Sequence, residues 1–391
     1  GTYVIEGLPA GYYLVKDKDG SLQGEADTAT DYIVQVLGNV TMDPKDSGIP
    51  TLEKKVAERS KYQKDEGYGM YYNDVADWNI GDSVPFKLIA SIPDNIESYD
   101  EYKFVFHDTL SNAFTLNQDS IKVFVAETTA ANVEQFAPQD DDLYQVAVDG
   151  QSFTLTIPDI NPLDAHGNPA NYVIITYSAT LNENADIGLN GNENTAYLEF
   201  SNDPNGDGLG RTTEDTVIVF TYELDGEKVD GETQEVLQNA QFVLLNGAKT
   251  EAAMVVDGKV TGWVKVDSEA AAGDVQMPGT YGEWVERYGQ QNVILTSAAD
   301  GTFKIAGLDD GTYYLREIQA PNGYNLLEED VKLVITAETS NVQNWAGEPD
   351  QALTALNISV NDGVAQDGVL DTGIVNVTVR NNQGATLPET G

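Results

Sequence analysis

Tyr313-Tyr314-Leu315-Arg316-Glu317-Ile318-Gln319-Ala320-Pro321-Asn322-Gly323-Tyr324 is the stretch whose reading decides the fold. Successive side chains of a strand point to opposite faces, so Tyr313, Leu315 and Glu317 share one face, and that face is otherwise apolar. A carboxyl group is thereby aimed into a hydrophobic core. Burial of an unpaired carboxylate is costly, so such a group should hold its proton well above the usual carboxylate range.

Working outward, Gly301-Thr302-Phe303-Lys304-Ile305-Ala306-Gly307-Leu308-Asp309-Asp310-Gly311 precedes this stretch and has a copy at the start of the chain, Gly1-Thr2-Tyr3-Val4-Ile5-Glu6-Gly7-Leu8-Pro9-Ala10-Gly11. Gly, Thr, Ile, Gly, Leu and Gly recur in register. Both read as the same strand-turn-strand of two related domains, with the glycines marking turns. Residues 1–46 are then expected to be the remnant of a first domain that lacks its opening strands. Between the copies, period-two runs at residues 83–91, 102–108, 120–126, 152–157, 172–181 and 195–201 are bounded by Gly, Pro, Asn or Asp. That pattern predicts an all-β chain of tandem immunoglobulin-like sandwiches in an elongated rod. We expect a second domain over residues 47–215, opened by Pro50-Thr51-Leu52-Glu53-Lys54-Lys55-Val56, and a third over 216–384. Residues 268–292, with Met277, Trp284 and Tyr288, read as an inserted loop or short helix.

Composition sets the outer limits. The chain has 391 residues, enough for two or three cores, and is 41% hydrophobic. Its 64 acidic residues against 21 basic ones give a formal charge of -43, which excludes nucleic acid and anionic lipid as partners and describes a self-repelling, soluble surface. No cysteine is present, so neither disulfides nor thiol catalysis enter. No apolar run reaches the roughly 20 residues of a membrane span. With no apolar leader before Gly1 and no apolar tail after Gly391, a processed form cut near its C-terminal signal is expected.

The Tyr313–Tyr324 stretch resembles the E-box, YxLxExxAPxGY, of collagen-adhesin B-type domains in Gram-positive surface proteins. The resemblance implies that Glu317 catalyses a spontaneous amide bond between a lysine on the first strand and an asparagine on the last. By position these are Lys228 and Asn381, with Asn382 as the rival register. Burial would lower the amine's pKa and free its lone pair, while the acid polarises the carboxamide and shuttles protons as ammonia leaves. Gly81-Asp82-Ser83-Val84-Pro85-Phe86 and Phe106-His107-Asp108-Thr109-Leu110-Ser111 resemble the corresponding segments of the aspartate-type pilin domain, which implies Asp108 as its catalyst. Its lysine would be Lys54 and its asparagine Asn194, which shares a strand face with Ala196, Leu198 and Phe200; Lys55, Asn182 and Asn202 are alternatives.

Leu387, Pro388, Glu389, Thr390 and Gly391 form an LPETG sorting signal, in an extended peptide that Pro388 keeps out of a helix. Nearly the whole chain resembles the backbone subunits of covalent Gram-positive pili. The resemblance implies a pilin sortase as partner, which joins Thr390 to a lysine of the neighbouring subunit. Met42-Asp43-Pro44-Lys45 sits where such pilins carry their YPK-like motif, although Asp43 departs from its tyrosine, and Lys16 and Lys18 are alternatives. Minor pilins and host ligands would be further partners, and the location the cell surface, attached to pilus or wall. The other reading is a monomeric wall-anchored adhesin that uses the same domains as a stalk.

Two further signals complete the inventory. Asp203, Asn205, Asp207 and Glu214 fit the D-x-[DN]-x-[DN]-G-x5-E calcium loop, but the strands expected on either side favour a plain interstrand loop. No cofactor is otherwise required. His107 and His166 are too few and too far apart for a metal cluster or a triad, and no constellation for multiple turnover is visible, so an enzyme is not expected.

Overall fold

The computed structural model describes residues 5–16, 31–37, 48–58, 67–167, 169–267, 276–340, 343 and 345–384. The N-terminal portion is a hairpin in which Gly11–Lys16 pairs antiparallel with Asp31–Val36, from Gly11 opposite Val36 to Lys16 opposite Asp31. Beyond it lie two β-sandwiches.

The first sandwich stacks two sheets. One runs in the order Gln145–Asp149, Ser152–Ile157, Phe104–Leu110, Asn192–Ser201, Asp215–Phe220, Val75–Asp77. The facing sheet runs Tyr72–Asn73, Leu52–Ala57, Ser83–Ser91, Tyr172–Leu181, Phe114–Leu116, with Lys122–Ala126 also on Tyr172–Leu181. The alternation seen in the sequence is realised: Phe153, Leu155 and Ile157 are buried while their neighbours are half-exposed. Phe86, Phe104, Phe106, Phe114, Phe153 and Phe200 fill the space between the sheets, each no more than 1% exposed. Burying a side chain of this size is worth about 1.5–3 kcal/mol, so these rings dominate the core.

Strand Asp215–Phe220 corrects the expected boundary. The sequence places residues 216 onward in the next domain, yet this strand pairs antiparallel with Asn192–Ser201 and parallel with Val75–Asp77. Val217, Ile218, Val219 and Phe220 are all completely buried, and Gly191 lies close against Ile218 and Phe220. The change of sandwich falls at Thr221, between Phe220 and the strand Tyr222–Asp230.

In the second sandwich, sheet pairing runs Gln366–Asp367, Leu353–Val360, Val331–Thr339, Gly311–Gln319, Gln241–Asn246, Glu251–Val256, Lys259–Lys265, Thr302–Leu308, Tyr222–Asp230, Ile374–Asn381. Its first and last strands, Tyr222–Asp230 and Ile374–Asn381, lie side by side and parallel, with Lys228 opposite Val379 and Asp230 opposite Asn381. The insertion contains the short helix Tyr281–Tyr288, started by a reciprocal Thr280–Glu283 capping box. Trp284 and Tyr288 of this helix are buried with Val243, Val266 and Ile318 on the outer side of the sheet. Among the described residues no helix is long and apolar enough to cross a membrane.

The sandwiches meet end to end through backbone and side-chain bonds. Asn79 Oδ1 accepts the Asp309 amide at 3.0 Å and the Tyr313 hydroxyl at 2.9 Å. Tyr222 donates to Asp77 at 3.0 Å, and the Trp345 amide donates to Asp74 at 3.1 Å. Gly188 and Gly373 touch so closely that a Cβ on Gly188 would sit 2.4 Å from the Gly373 nitrogen, and both have positive φ. Asn79→Ala should therefore cost about 1–3 kcal/mol at this junction, since the Asp309 amide loses its acceptor. Denaturant unfolding checks this, and a midpoint equal to wild type would deny Asn79 that role.

Candidate functional site

Two lysine-carboxyl-asparagine clusters are built by the sheets just described. In the second sandwich, Lys228 and Asn381 come from the adjacent parallel strands, and Glu317 reaches in from Gly311–Gln319 in the facing layer. The three are at most 4% exposed. Lys228 Nζ lies 2.5 Å from Asn381 Oδ1 and 3.8 Å from Glu317 Oε1. Asn381 Nδ2 donates to both Glu317 oxygens, at 3.0 and 2.9 Å, and to the Asn325 carbonyl at 2.9 Å. The amine thus lies against the carboxamide, and the carboxyl lies against the nitrogen that would leave.

Burial sets the protonation. Desolvation lowers the Lys228 amine to about 8 against the opposing pull of Glu317. Desolvation likewise raises Glu317, despite its bonds from Asn381 and the Leu327 amide. Both shifts favour the neutral pair, a free amine facing a carboxylic acid, which nucleophilic attack on an amide requires. The rival Asn382 is exposed and outside the cluster.

In the first sandwich the cluster spans the two sheets. Lys54 comes from Leu52–Ala57, while Asp108 and Asn194 lie on the paired strands Phe104–Leu110 and Asn192–Ser201 opposite. All three are no more than 1% exposed. Lys54 Nζ hydrogen-bonds Asp108 Oδ2, and burial lowers the lysine and raises the aspartate. The alternatives are occupied elsewhere. Lys55 pairs with Asp74 at 2.6 Å, and Asn182 donates to the Asn112 carbonyl at 3.1 Å. Asn202 lies beyond this cluster, beside Gly208.

One residue here was not singled out from the sequence. The Tyr177 hydroxyl donates to Asp108 Oδ2 at 2.7 Å and accepts from Lys54 Nζ at 2.7 Å and Asn194 Nδ2 at 2.9 Å. The available signal was a single hydroxyl on the buried Val173, Ile175, Tyr177, Ala179, Leu181 face of its strand. A buried hydroxyl without partners is costly, so its presence on such a face points to a polar cluster.

The Asp203–Glu214 loop is not built like an EF-hand. Strands Asn192–Ser201 and Asp215–Phe220 flank it, Asp203 accepts the Asn205 amide at 2.9 Å, and Glu214 pairs with Arg211 at 2.6 Å. Among the described residues the carboxylates of Asp203, Asp207 and Glu214 do not gather within 4.8 Å of one another. His107 points away from Asp108's face, stacked on Tyr197 at 4.4 Å and bonded to Glu199 at 2.9 Å. Lys45, Lys18 and Leu387–Gly391 lie outside the described residues, as does the side chain of Lys16.

Comparison with known proteins shows what the two sandwiches resemble. Residues 80–204 match the family described as Gram-positive pilin backbone subunit 2, Cna-B-like domain, and residues 223–348 the SpaA prealbumin-like fold domain. The trypsin-resistant surface T6 protein of Streptococcus pyogenes serotype M6 is 24% identical over 214 residues, which cover 51% of this chain and 32% of that protein. The chain thus spans about a third of that relative's length. Two solved structures share the fold. The full-length major pilin SpaD of Corynebacterium diphtheriae is 17% identical with a TM-score of 0.52, covering 96% of this chain and 77% of that one. The group B streptococcus pilus 2b backbone protein is 23% identical with a TM-score of 0.50, covering 79% and 95%.

Proposed function

We propose that this chain, whose first sandwich matches a Gram-positive pilin backbone domain and whose second matches a prealbumin-like fold domain, is a structural shaft subunit in a covalent cell-surface pilus. A pilin sortase joins Thr390 of one subunit to Lys45 of the next, and each sandwich closes an internal Lys-Asn amide bond, Lys54 to Asn194 and Lys228 to Asn381. The observation that carries this reading is the twofold occurrence of a buried amine, carboxyl and carboxamide in one cluster, in direct contact in the second sandwich and joined through the Tyr177 hydroxyl in the first. One such cluster in a core is an ordinary polar network; two, in successive sandwiches of a chain without cysteine, serve as substitutes for disulfides.

The chemistry is one turnover per molecule. The lysine amine attacks the asparagine Cγ, the Cγ–Nδ2 bond breaks, and ammonia leaves with a proton drawn from the amine by way of the carboxyl. The Asp108 bond ties one sheet to the other, whereas the Glu317 bond ties the first strand to the last.

Intact-mass spectrometry of the folded chain and incubation with a pilin sortase test the proposal together. A mass two ammonia molecules below that of the sequence is expected, with a ladder of covalent multimers that Lys45→Ala and Thr390→Ala each abolish. An unshifted mass refutes the internal bonds. A ladder that survives Lys45→Ala moves the linkage to another lysine.

A further inference from the structure

We propose that the Tyr177 hydroxyl is the proton relay of the first sandwich's crosslinking reaction, carrying to the leaving nitrogen of Asn194 the proton that Glu317 delivers directly in the second. This inference rests on the proposed Lys54–Asn194 bond and adds a fourth participant to it. At the two sites the nitrogen that would leave meets different partners. Glu317 places both carboxyl oxygens within 3.0 Å of Asn381 Nδ2. Asp108 has one methylene fewer, and the Asn194 amide nitrogen donates to Tyr177 at 2.9 Å. Tyr177 in turn donates to Asp108 at 2.7 Å, so hydroxyl and aspartate together span what the longer glutamate spans alone.

The ring is held for this task. Tyr177 stacks on Phe86 at 5.3 Å and meets Phe153 edge-on at 5.0 Å, and its side chain is 3% exposed, so no water competes for the hydroxyl. The three partners of the oxygen are the nucleophile, the acid and the leaving group. The proton balance closes. As the neutral Lys54 amine attacks Cγ, Tyr177 gives its proton to Nδ2 and takes one from Asp108. The Cγ–Nδ2 bond breaks, ammonia departs, and Asp108 recovers its proton from the new amide nitrogen. Tyr177 and Asp108 end as they began.

Tyr177→Phe removes the hydroxyl and keeps the ring. Newly synthesised full-length chain is followed by intact mass over time, with digestion to identify the linked peptides. Wild type is expected to lose two ammonia molecules. Tyr177→Phe should lose one promptly, from Lys228 and Asn381, and form the Lys54–Asn194 bond at least a hundredfold more slowly, in line with the rate effect of general acid-base groups. The prompt bond reports folding of the second sandwich, and protease resistance of residues 48–220 reports folding of the first, where the substitution lies. A Lys54–Asn194 bond at the wild-type rate overturns the relay and leaves the parent reading intact, whereas its absence from wild type overturns both. If Tyr177→Phe does not fold, 3,5-difluorotyrosine at this position decides, because it keeps the hydroxyl and shape but makes the O–H more acidic. A changed rate and pH profile support the relay, and unchanged ones overturn it.

Discussion

Glu317→Ala is expected to retain one ammonia more than wild type and to melt its second sandwich roughly 10–20 °C lower. The bond it prevents would close a loop between positions 153 residues apart. Treated as any covalent crosslink, that closure removes chain entropy from the unfolded state worth about 5 kcal/mol. For a domain of this size each kcal/mol moves the midpoint by about 2–4 °C, which gives the range stated. The variant also strands the buried Lys228 amine beside an unreacted carboxamide, which adds to the loss. Calorimetry paired with intact mass separates the contributions. Lys228→Ala removes the bond without leaving a buried amine, and should melt above Glu317→Ala. A Glu317→Ala chain with wild-type mass would show that the carboxyl is not needed.

The rate of the proposed Lys228–Asn381 reaction should change by about a hundredfold with pH in uncrosslinked chain recovered from inclusion bodies and refolded. The reactive form carries one shared proton, as free amine plus carboxylic acid. Its population is level between the two apparent pKa values and falls tenfold per pH unit outside them. Lys228, lowered by burial, sets the upper edge at about 8. Glu317, raised by burial, sets the lower edge above its ordinary value of 4.5. The sign follows: above the upper edge the pair loses the proton that ammonia needs, and below the lower edge the amine gains one and cannot attack. Refolding at pH 10 should therefore close the bond about a hundredfold more slowly than at pH 7. Equal rates at both values would remove the acid from the mechanism.

Much of this site was legible because its signal is local and periodic. The Tyr313, Leu315, Glu317 alternation places a carboxyl in a core without reference to any other strand. Asp108 and Asn194 could be read in the same way, from single strands with clear inside and outside faces. What could not be read depends on which strands become neighbours. Asp215–Phe220 is apolar on both faces, so its pattern does not say which sandwich covers it, and only pairing with Val75–Asp77 decides. Tyr177 sits on a strand that was correctly delimited, but its role needs three partners from three other strands. The junction residues Asn79 and Trp345 were silent for the same reason, since each acts on the other sandwich.

The place of Asp215–Phe220 also decides how the shaft would give under load. In the second sandwich the proposed bond joins the entry strand to the exit strand, so a pull on the ends runs through Lys228 and Asn381 and leaves nothing between them to pay out. In the first sandwich the bond stops at Asn194, and the chain leaves through a strand that ends at Phe220. Residues 195–220 lie outside the covalent circuit. A hydrogen bond from the Lys54 amide to Asp215, at 2.6 Å, and pairing with the strands Phe104–Leu110 and Val75–Asp77 hold them instead. Fully drawn out, that segment would release a contour length of up to roughly 90 Å. Each subunit would then carry one short, recoverable length of slack beside an inextensible link, and a filament of them would yield in equal steps before its covalent path took the strain.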